Sequence, residues 1–238
     1  MAAPVVKFFG VSGEWAEPRW LGVIIPWLSG GEQARADRFR QAIDRQRFLL
    51  GRGLIRALVG EHLQVDPADV VFAETAAGKP GIPGGEFEFN VSHSGDCILV
   101  AWSTGSEVGV DVEVMSSKTE ASLSEIAGIS FSADERAVLA TTPPVEKAAV
   151  FHRIWVRKEA IIKAEGVGLG GALQDFSVVC LEGGAVRWSE VVPYPGSARS
   201  WRLVDLISPA GCFAALAVES GAAVCEGALP SVLATVAS

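Results

Sequence analysis

The apolar and polar positions in the first part of the chain form runs that predict strands and helices. Between Trp15 and Trp27 apolar residues occupy both odd and even positions, which predicts a strand that is covered on both faces. Ser29 followed by Glu32 has the spacing of a capping box, so we expect a helix to begin near residue 30. A second helix is predicted over about Asp44–His62, where a set of apolar residues supplies a buried side.

A hairpin is predicted after these helices. The segment Gly78–Gly85 is too rich in glycine and proline for regular structure and predicts a loop. Phe87–Val91 then alternates apolar and polar residues, which indicates a strand. Ser92–Gly95 predicts a turn, and Cys97–Trp102 predicts the return strand.

The second half of the chain repeats this plan. Val108–Val114 alternates strictly and predicts a strand. Ser132 and Glu135 form a second capping box, which opens a helix to about Ala140, and a longer helix is predicted over Trp155–Ala164. The remaining predictions are a loop over 166–171 and strands over Phe176–Leu181, Ala185–Val191, Trp201–Ile207 and Cys212–Val218.

These two plans indicate an internal duplication. Phe48–Ala57 and Trp155–Ala164 align without gaps, and each segment follows its own capping box by a similar distance. We therefore predict an α+β fold with a pseudo-twofold duplication of two similar subdomains, each a small antiparallel sheet packed with helices. The halves are expected to comprise residues 1–105 and 106–238, with a cleft between them.

Composition excludes several classes of protein. The chain has 238 residues, of which 49% are hydrophobic, as expected of a globular protein rather than a disordered one. No apolar run approaches the roughly 18 residues that a membrane helix needs, and the N-terminal sequence does not resemble a secretory signal. The net charge of −8 argues against a general nucleic-acid-binding protein.

Cysteine and histidine usage bears on metals and on the compartment. The four cysteines are scattered without a C-x-x-C pair, and with three histidines in the chain this argues against a zinc site. Without a secretory signal, reduced cysteines in the cytoplasm are the favoured interpretation.

Charge is distributed unevenly along the chain. Seven arginines lie between Glu32 and Arg56, in a protein that is acidic overall. Such a basic segment indicates an anionic small ligand or an acidic partner surface. The alternative is a solvated helix face with ion pairs between residues four apart.

Two acids on one predicted strand indicate a metal site. Asp111 and Glu113 leave the same face of the strand, roughly 6.5–7 Å apart along it. Two such carboxylates repel one another unless a cation lies between them. Oxygen ligands without a nearby histidine or cysteine favour Mg²⁺ or Mn²⁺. The alternative is an edge strand that turns one polar face to water.

Trp155, Glu159 and Lys163 form one stripe on the later helix. In a functional interpretation Glu159 is a third acidic ligand and Lys163 contacts a phosphate. Otherwise the two are an exposed ion pair worth a few tenths of a kcal/mol. His93, beside small polar residues and after a glycine-rich loop, suits an anion pocket, although a lone histidine is more often structural.

Four motifs in one order resemble the 4′-phosphopantetheinyl transferase superfamily, in its larger two-halved bacterial type, the surfactin-synthetase-activator type. The motifs are Gly78-Lys79-Pro80, Phe89-Asn90-Val91-Ser92-His93-Ser94, Gly109-Val110-Asp111-Val112-Glu113 and Trp155-Val156-Arg157-Lys158-Glu159-Ala160-Ile161-Ile162-Lys163. Each motif alone is weak, and their specificity comes from the order and from the duplicated plan.

The resemblance implies an enzyme that binds coenzyme A with Mg²⁺ between its two halves. Such an enzyme transfers the 4′-phosphopantetheine arm to a serine of an apo acyl or peptidyl carrier protein and releases adenosine 3′,5′-bisphosphate. The client carrier could belong to fatty-acid, polyketide or nonribosomal-peptide synthesis. We expect a cytoplasmic monomer that binds neither nucleic acid nor membrane.

The resemblance also implies roles for individual residues. Asp111, Glu113 and Glu159 are the implied magnesium ligands, and Lys163 contacts the diphosphate. Apart from the resemblance, we predict Glu159 as the base for the carrier serine, because it comes from a helix on the other side of the proposed cleft from Asp111 and Glu113. The residues implied to surround the phosphates and the adenine end are Arg35, Arg47, Lys79, Ser92 and His93. The alternative function is a non-catalytic module that binds coenzyme A or a nucleotide, which would not need all three acids.

Overall fold

Two four-stranded sheets, each packed against a long helix, organise the fold. The structure is a computed structural model. The residues it describes are 5–12, 18–74, 80–84, 87–115, 119–168, 173–182 and 185–233. The α-helices are α1 (Pro18–Ile24), α2 (Gly30–Ala36), α3 (Ala42–Leu63), α4 (Glu120–Ser130), α5 (Ala133–Thr141) and α6 (Pro144–Glu165). The strands are β1 (Val5–Ser12), β2 (Ala73–Glu74), β3 (Pro80–Gly81), β4 (Phe87–Ser94), β5 (Cys97–Thr104), β6 (Val108–Val114), β7 (Val179–Glu182), β8 (Ala185–Trp188), β9 (Val191–Pro193), β10 (Ser200–Asp205), β11 (Cys212–Glu219) and β12 (Ala223–Glu226).

The first sheet has the strand order β12-β1-β5-β4. Strand β1 is antiparallel to β5 and parallel to β12, and β4 and β5 form a hairpin. The core of this half joins apolar residues of α1 and α3 to the inner face of β4 and β5, as with Leu54, Phe87 and Phe89. Because β12 comes from near the end of the chain, the C-terminal sequence completes the N-terminal sheet.

The second sheet is antiparallel, with the order β6-β11-β10-β9. Helix α6 supplies its core face, where Ile154, Ile161 and Trp201 are completely or almost completely buried. Helix α6 packs directly on β6 at Gly109. A Cβ atom at this position would lie 2.0 Å from the carbonyl oxygen of Ala160, so a side chain here would force the helix and strand apart.

A third apolar cluster joins the two sheets. It packs one face of β5 against β6 and β11, with Leu99, Val110 and Leu216 among its buried members. At one end of this cluster the Sγ atoms of Cys97 and Cys212 lie 3.6 Å apart, and both are free thiols. Strands β4 and β6, at the edges of their sheets, lie side by side where the sheets meet.

The predicted α+β fold, with small antiparallel sheets packed with helices, is confirmed. Both capping boxes form, with Glu32 and Glu135 accepting from the cap backbones. Helix α3 matches its prediction within two residues at each end, whereas α6 begins at Pro144, well before the predicted Trp155. No helix in the described ranges is long and apolar enough to cross a membrane.

The strand predicted over residues 15–27 is wrong. From Pro18 this segment is helix α1, followed by a 3₁₀ turn over Ile25–Trp27, while Trp15 lies outside the described residues. Trp20 and Ile24 are deeply buried, and their spacing of four places them on one face of α1, while the buried Leu28 follows the 3₁₀ turn. A run with apolar residues at both odd and even positions fits a short buried helix as well as a buried strand.

Several strand boundaries also differ from the prediction. Ser92, His93 and Ser94 belong to β4, and the turn consists of Gly95 and Asp96. Within the predicted glycine-rich loop, Pro80–Gly81 forms a two-residue strand with β2. The run Ala185–Val191 is divided between β8 and β9, the strand predicted from Phe176 begins at Val179, and strands β1 and β12 were not predicted.

When the ends of α3 and α6 are aligned, the two halves correspond in a different register from the predicted gapless alignment of Phe48–Ala57 with Trp155–Ala164. Helices α3 and α6 have 22 residues each, and their ends pair Arg56 with Lys158 rather than with Lys163. The capping boxes at Ser29 and Ser132 agree with the helix ends within one residue. The division at residue 105 remains a prediction.

Candidate active site

The candidate site begins at the line where β4 and β6 meet. Three side chains of β4 take the place of a backbone ladder by accepting hydrogen bonds from backbone N–H groups of β6. These bonds run from Val110 N to Asn90 Oδ1 at 3.0 Å, from Val112 N to Ser92 Oγ at 3.3 Å and from Val114 N to Ser94 Oγ at 3.1 Å. We call these six residues the β4–β6 seam. The seam satisfies donors that an edge strand would otherwise leave unpaired.

The two acids of β6 lie directly on this seam. Asp111 is buried, and its Oδ1 accepts from Ser92 Oγ at 2.8 Å and from Lys163 Nζ at 2.6 Å. Glu113 is half-buried, and its Oε2 accepts from Ser94 Oγ at 2.7 Å. The structure therefore brings both predicted acids to the boundary between the sheets.

Glu159 faces these acids from helix α6 and is 6% exposed. The pKa of its carboxyl is raised to about 7, chiefly by burial and also by the nearby charges of Asp111 and Glu113, while the charge of Lys163 opposes the shift. Like-charged carboxylates in a partly dry site favour protonation of one of them. All three predicted acids thus belong to one electrostatic cluster.

Lys163, one turn beyond Glu159 on α6, partly neutralises this cluster. Its Nζ donates to Asp111 Oδ1 and, at 2.9 Å, to Ser92 Oγ. An ammonium group has three protons, so one remains for a further acceptor. The close packing of α6 on β6 at Gly109 allows the lysine to reach across.

The donor set suits a hard divalent cation. Asp111 Oδ2 and Glu159 Oε1 are buried and have no hydrogen-bond partner among the described residues, which is unfavourable for carboxylate oxygens unless a cation binds them. Oxygen donors of this kind are the ligands that Mg²⁺ prefers. Within the described part of the chain, however, no three acidic, histidine or cysteine side chains converge closely enough to form a ready metal site. The residues fit the ion chemically, while Lys163 holds part of the position that a cation would take.

The predicted anion-binding residues line a neighbouring cavity of about 280 Å³. Arg35, Arg47 and His93 contribute to its wall, together with Asn90 of the seam. Arg47 is held in place because its guanidinium donates to the Gly95 carbonyl at 2.7 Å and to Asp44 at 2.9 Å. Three of the five residues implied to contact coenzyme A therefore share one wall.

The His93 ring is exposed at this cavity, yet its pKa is lowered. Partial desolvation by the surrounding protein is the largest cause, and the positive charges of Arg47 and Lys163 add to it. A ring held neutral among cations gains a proton readily when an anion arrives.

The other two implied contacts differ from the expectation. Ser92 is buried and hydrogen-bonded to Asp111 and Lys163, rather than lining the cavity. Lys79 lies outside the described residues.

The basic segment before the site separates into two groups. Arg52 and Arg56 form ion pairs with the buried Glu32, and Arg56 also donates to backbone carbonyl groups of the following segment. Arg45 pairs with Asp37 at the surface. The alternative interpretation as ion pairs thus holds for several of these arginines, and the cavity is lined by Arg35, Arg47 and Arg52, of which the last two are also ion-paired.

Sequence reasoning missed three residues that shape this site. Asn90 and Ser94 complete the seam, and Gly109 permits the contact between helix and strand. The signal for the first two was present, because Asn90, Ser92 and Ser94 share one parity on a strand. Their partners on β6 could not be deduced from that spacing alone.

Comparison with known proteins gives a consistent result. Residues 107–206 match the model of the 4′-phosphopantetheinyl transferase superfamily, and residues 15–105 match the model described as 4′-phosphopantetheinyl transferase, N-terminal. The chain is 34% identical over 196 residues to the 4′-phosphopantetheinyl transferase HetI of Nostoc sp., covering 80% of this chain and 78% of the relative.

Two further relatives extend this similarity to other organisms. The 4′-phosphopantetheinyl transferase Sfp of Bacillus subtilis is 34% identical over 161 residues, which cover 67% of this chain and 70% of that protein. The L-aminoadipate-semialdehyde dehydrogenase-phosphopantetheinyl transferase of Xenopus laevis is 30% identical over 211 residues, covering 82% of this chain and 70% of the relative.

Proposed function

The chain belongs to the 4′-phosphopantetheinyl transferase superfamily, in its larger two-halved type, and from this we propose how its residues divide the work of the reaction. The protein transfers phosphopantetheine from coenzyme A to carrier proteins. In our proposal the N-terminal half binds the coenzyme, and the acids of the C-terminal half support the chemistry. The observation that carries this division is that Asp111 and Glu159 are buried with unpartnered oxygens, beside a basic cavity.

Coenzyme A binding is assigned to the cavity lined by Arg35, Arg47 and His93. Coenzyme A is polyanionic, so a protein of net charge −8 needs a local group of cations to hold it. The position of these three residues on one wall supports the assignment. We also keep Lys79 and Ser92 as proposed contacts, by the resemblance of their motifs.

Asp111, Glu113 and Glu159 would hold Mg²⁺, with Mn²⁺ as a substitute. When bound, the ion would supply positive charge to the diphosphate, where phosphoryl transfer chiefly needs neutralisation and alignment. Lys163 contributes a fixed positive charge at the same place. Its third ammonium proton is available to a diphosphate oxygen while the other two stay on Asp111 and Ser92.

The acceptor in this proposal is a serine hydroxyl of the apo carrier protein. Its oxygen bonds to the β-phosphorus of coenzyme A, the diphosphate bridge breaks, and adenosine 3′,5′-bisphosphate leaves with the bridging oxygen. A base must take the hydroxyl proton within hydrogen-bond reach or through one water. Glu159 is our candidate, since it faces the acids of β6 from the opposite side and one of its oxygens has no partner.

We further propose that the enzyme acts as a monomer in the cytoplasm, apart from nucleic acids and membranes. Two halves within one chain can supply both sides of a cleft, which supports a monomer. The thiols Cys97, Cys180, Cys212 and Cys225 are all free, which agrees with a reducing compartment.

The decisive experiment is intact-mass spectrometry of apo carrier proteins, both acyl and peptidyl, incubated with the enzyme, coenzyme A and Mg²⁺. We expect a phosphopantetheine mass increment with the wild type and none with Asp111→Ala. Glu190→Ala, which removes an exposed acid of the same half, is the matched control and should transfer normally.

The possible outcomes separate the two candidate functions. Absence of any increment across several carriers, with coenzyme A binding intact, would instead favour the non-catalytic binding module. Normal transfer by Asp111→Ala at saturating Mg²⁺ would refute the role assigned to this acid.

A further inference from the structure

The β4–β6 seam does more than join two sheets. Its acceptors on β4 and its donors on β6 both recur every second residue, so one side-chain face of β4 meets one backbone edge of β6. Slippage of either strand by one residue would reverse its faces and break all three contacts. The seam therefore fixes the register of β6, and with it the direction in which the β6 acids point.

Each seam serine is bonded in two directions. Ser94 Oγ accepts from the Val114 N–H at 3.1 Å and donates to Glu113 Oε2 at 2.7 Å. Ser92 Oγ likewise accepts from Val112 and donates to Asp111. A hydroxyl has one proton, so accepting from the backbone leaves that proton to the carboxylate. Each serine thereby couples the backbone of β6 to the side chain of an acid.

From this geometry we propose that Ser94 is a positioning residue for Glu113, a role that rests on the proposed function of the β6 acids. Ser94 is the more informative serine because the described hydrogen bonds of its hydroxyl go to Glu113 and Val114, whereas the Ser92 hydroxyl also contacts Lys163. Without the Ser94 hydroxyl, Glu113 keeps its charge but loses the bond that orients its carboxylate.

The expected effect follows from the usual cost of losing such a partner. Groups that orient the ligands of a metal typically contribute 10–100-fold to metal affinity or to activity. We expect Ser94→Ala to weaken Mn²⁺ binding in the presence of coenzyme A by about tenfold or more. We expect kcat to fall by a similar factor, while KM for coenzyme A changes less than about twofold, since Ser94 does not line the coenzyme cavity.

Two further variants distinguish positioning from general damage. Ser94→Thr retains the hydroxyl and should restore both Mn²⁺ binding and kcat to within about threefold of the wild type. Ser103→Ala is the matched control, because it removes a buried serine hydroxyl of the same hairpin for which the described part of the chain offers no hydrogen-bond partner. It should leave both quantities unchanged.

The experiment measures Mn²⁺ binding by electron paramagnetic resonance and transfer kinetics by carrier intact mass, for the wild type and the three variants. Amide hydrogen exchange at Val114 adds a direct check, since its N–H should lose protection in Ser94→Ala and keep it in Ser103→Ala. The positioning role is supported if Mn²⁺ affinity and kcat fall in Ser94→Ala and recover in Ser94→Thr.

Failure of this role differs from failure of the proposed function. If the wild type binds Mn²⁺ and transfers phosphopantetheine but Ser94→Ala matches it in both, the positioning role is wrong and the function stands. If the wild type fails in only one of these assays, the other still decides the question for Ser94. If it fails in both, the proposed function of the acids falls and the role of Ser94 falls with it.

Discussion

The two halves of the molecule contain an equivalent buried ion pair, whereas the cluster of Asp111, Glu113 and Glu159 belongs to the C-terminal half. In the N-terminal half, the capping-box residue Glu32 is buried against Arg56 of α3 at 2.7 Å. In the C-terminal half, Glu135 is fully buried against Lys158 of α6 at 2.8 Å. Arg56 and Lys158 hold the same position in helices of equal length. We interpret this shared pair as an anchor that holds α2 to α3 in one half and α5 to α6 in the other.

The difference between the halves begins at Glu159, the residue that follows Lys158 on α6. In the register set by the helix ends, Glu159 and Lys163 of α6 correspond to Ala57 and Glu61 of α3. The N-terminal helix thus has neither the acid nor the cation that faces β6. In our proposal, features common to both halves stabilise the fold, and features confined to the C-terminal half serve the chemistry.

The largest effect we predict comes from breaking the anchor. Lys158→Met would leave the Glu135 carboxylate buried without its cation, which costs about 3–5 kcal/mol of the free energy of unfolding. Urea unfolding followed by circular dichroism measures this loss. Lys158→Met/Glu135→Gln should regain part of the stability because no unpaired charge remains. A loss below about 1 kcal/mol in the single variant would contradict the anchor role.

Removing the charge of Glu159, the residue after Lys158, should increase the free energy of unfolding, whereas Lys158→Met should decrease it. In the metal-free protein its folded pKa of about 7 exceeds the ordinary value of 4.5, so the folded state binds the proton more tightly than the unfolded state. The free energy of unfolding should therefore fall as the pH rises from 4.5 to 7. Glu159→Gln should remove this decline and be more stable than the wild type at pH 8 by roughly 2–3 kcal/mol.

Urea unfolding of chelator-treated protein between pH 4.5 and pH 8 tests this prediction. Glu146→Gln, which changes an exposed glutamate of the same helix, is the control and should follow the wild type. If Glu159→Gln is less stable than the wild type at pH 8, the Glu159 carboxylate is well paired in the folded protein. Glu159 would then resemble Glu135, whose buried charge is compensated by Lys158.

The elements that the sequence predicts correctly are those whose patterns are complete within a few neighbouring residues. The capping boxes at Ser29 and Ser132 and the alternation along Val108–Val114 are complete within a few residues, so they predict α2, α5 and β6 directly. The pairing of β1 with β12 joins the two ends of the chain, and no local pattern reveals such a partner.

The candidate site shows the same limit. The sequence places Asp111 and Glu113 on one strand face and Glu159 with Lys163 on one helix stripe, and the structure brings all four together. The sequence does not reveal that Lys163 forms an ion pair with Asp111, or that Ser92 faces the acids. Those contacts depend on how closely α6 approaches β6, which Gly109 permits.

A smaller effect should follow from changing His93 in the half that we propose to bind coenzyme A. His93→Ala should weaken coenzyme A binding by about tenfold at pH 7, the value of one charge-assisted hydrogen bond. Desolvation, Arg47 and Lys163 lower the pKa of His93 in the free protein, so binding of a phosphate should be accompanied by proton uptake. Affinity should accordingly decrease as the pH rises.

Isothermal titration calorimetry in buffers of different ionisation enthalpy measures both the affinity and the proton uptake. Dephospho-coenzyme A is the matched ligand, because it lacks only the 3′-phosphate. If His93→Ala weakens both ligands equally, His93 does not contact that phosphate. Unchanged proton uptake in the variant would assign the titration to another group.

The division between a binding half and a chemical half is tested most directly by single-turnover transfer at saturating coenzyme A, carrier protein and Mg²⁺. We predict that Arg47→Ala reaches the wild-type rate once coenzyme A saturates it. Glu159→Gln should remain at least about 100-fold slower at every concentration, as expected for loss of a general base. A wild-type rate for Glu159→Gln, or a slow rate for saturated Arg47→Ala, would contradict this division.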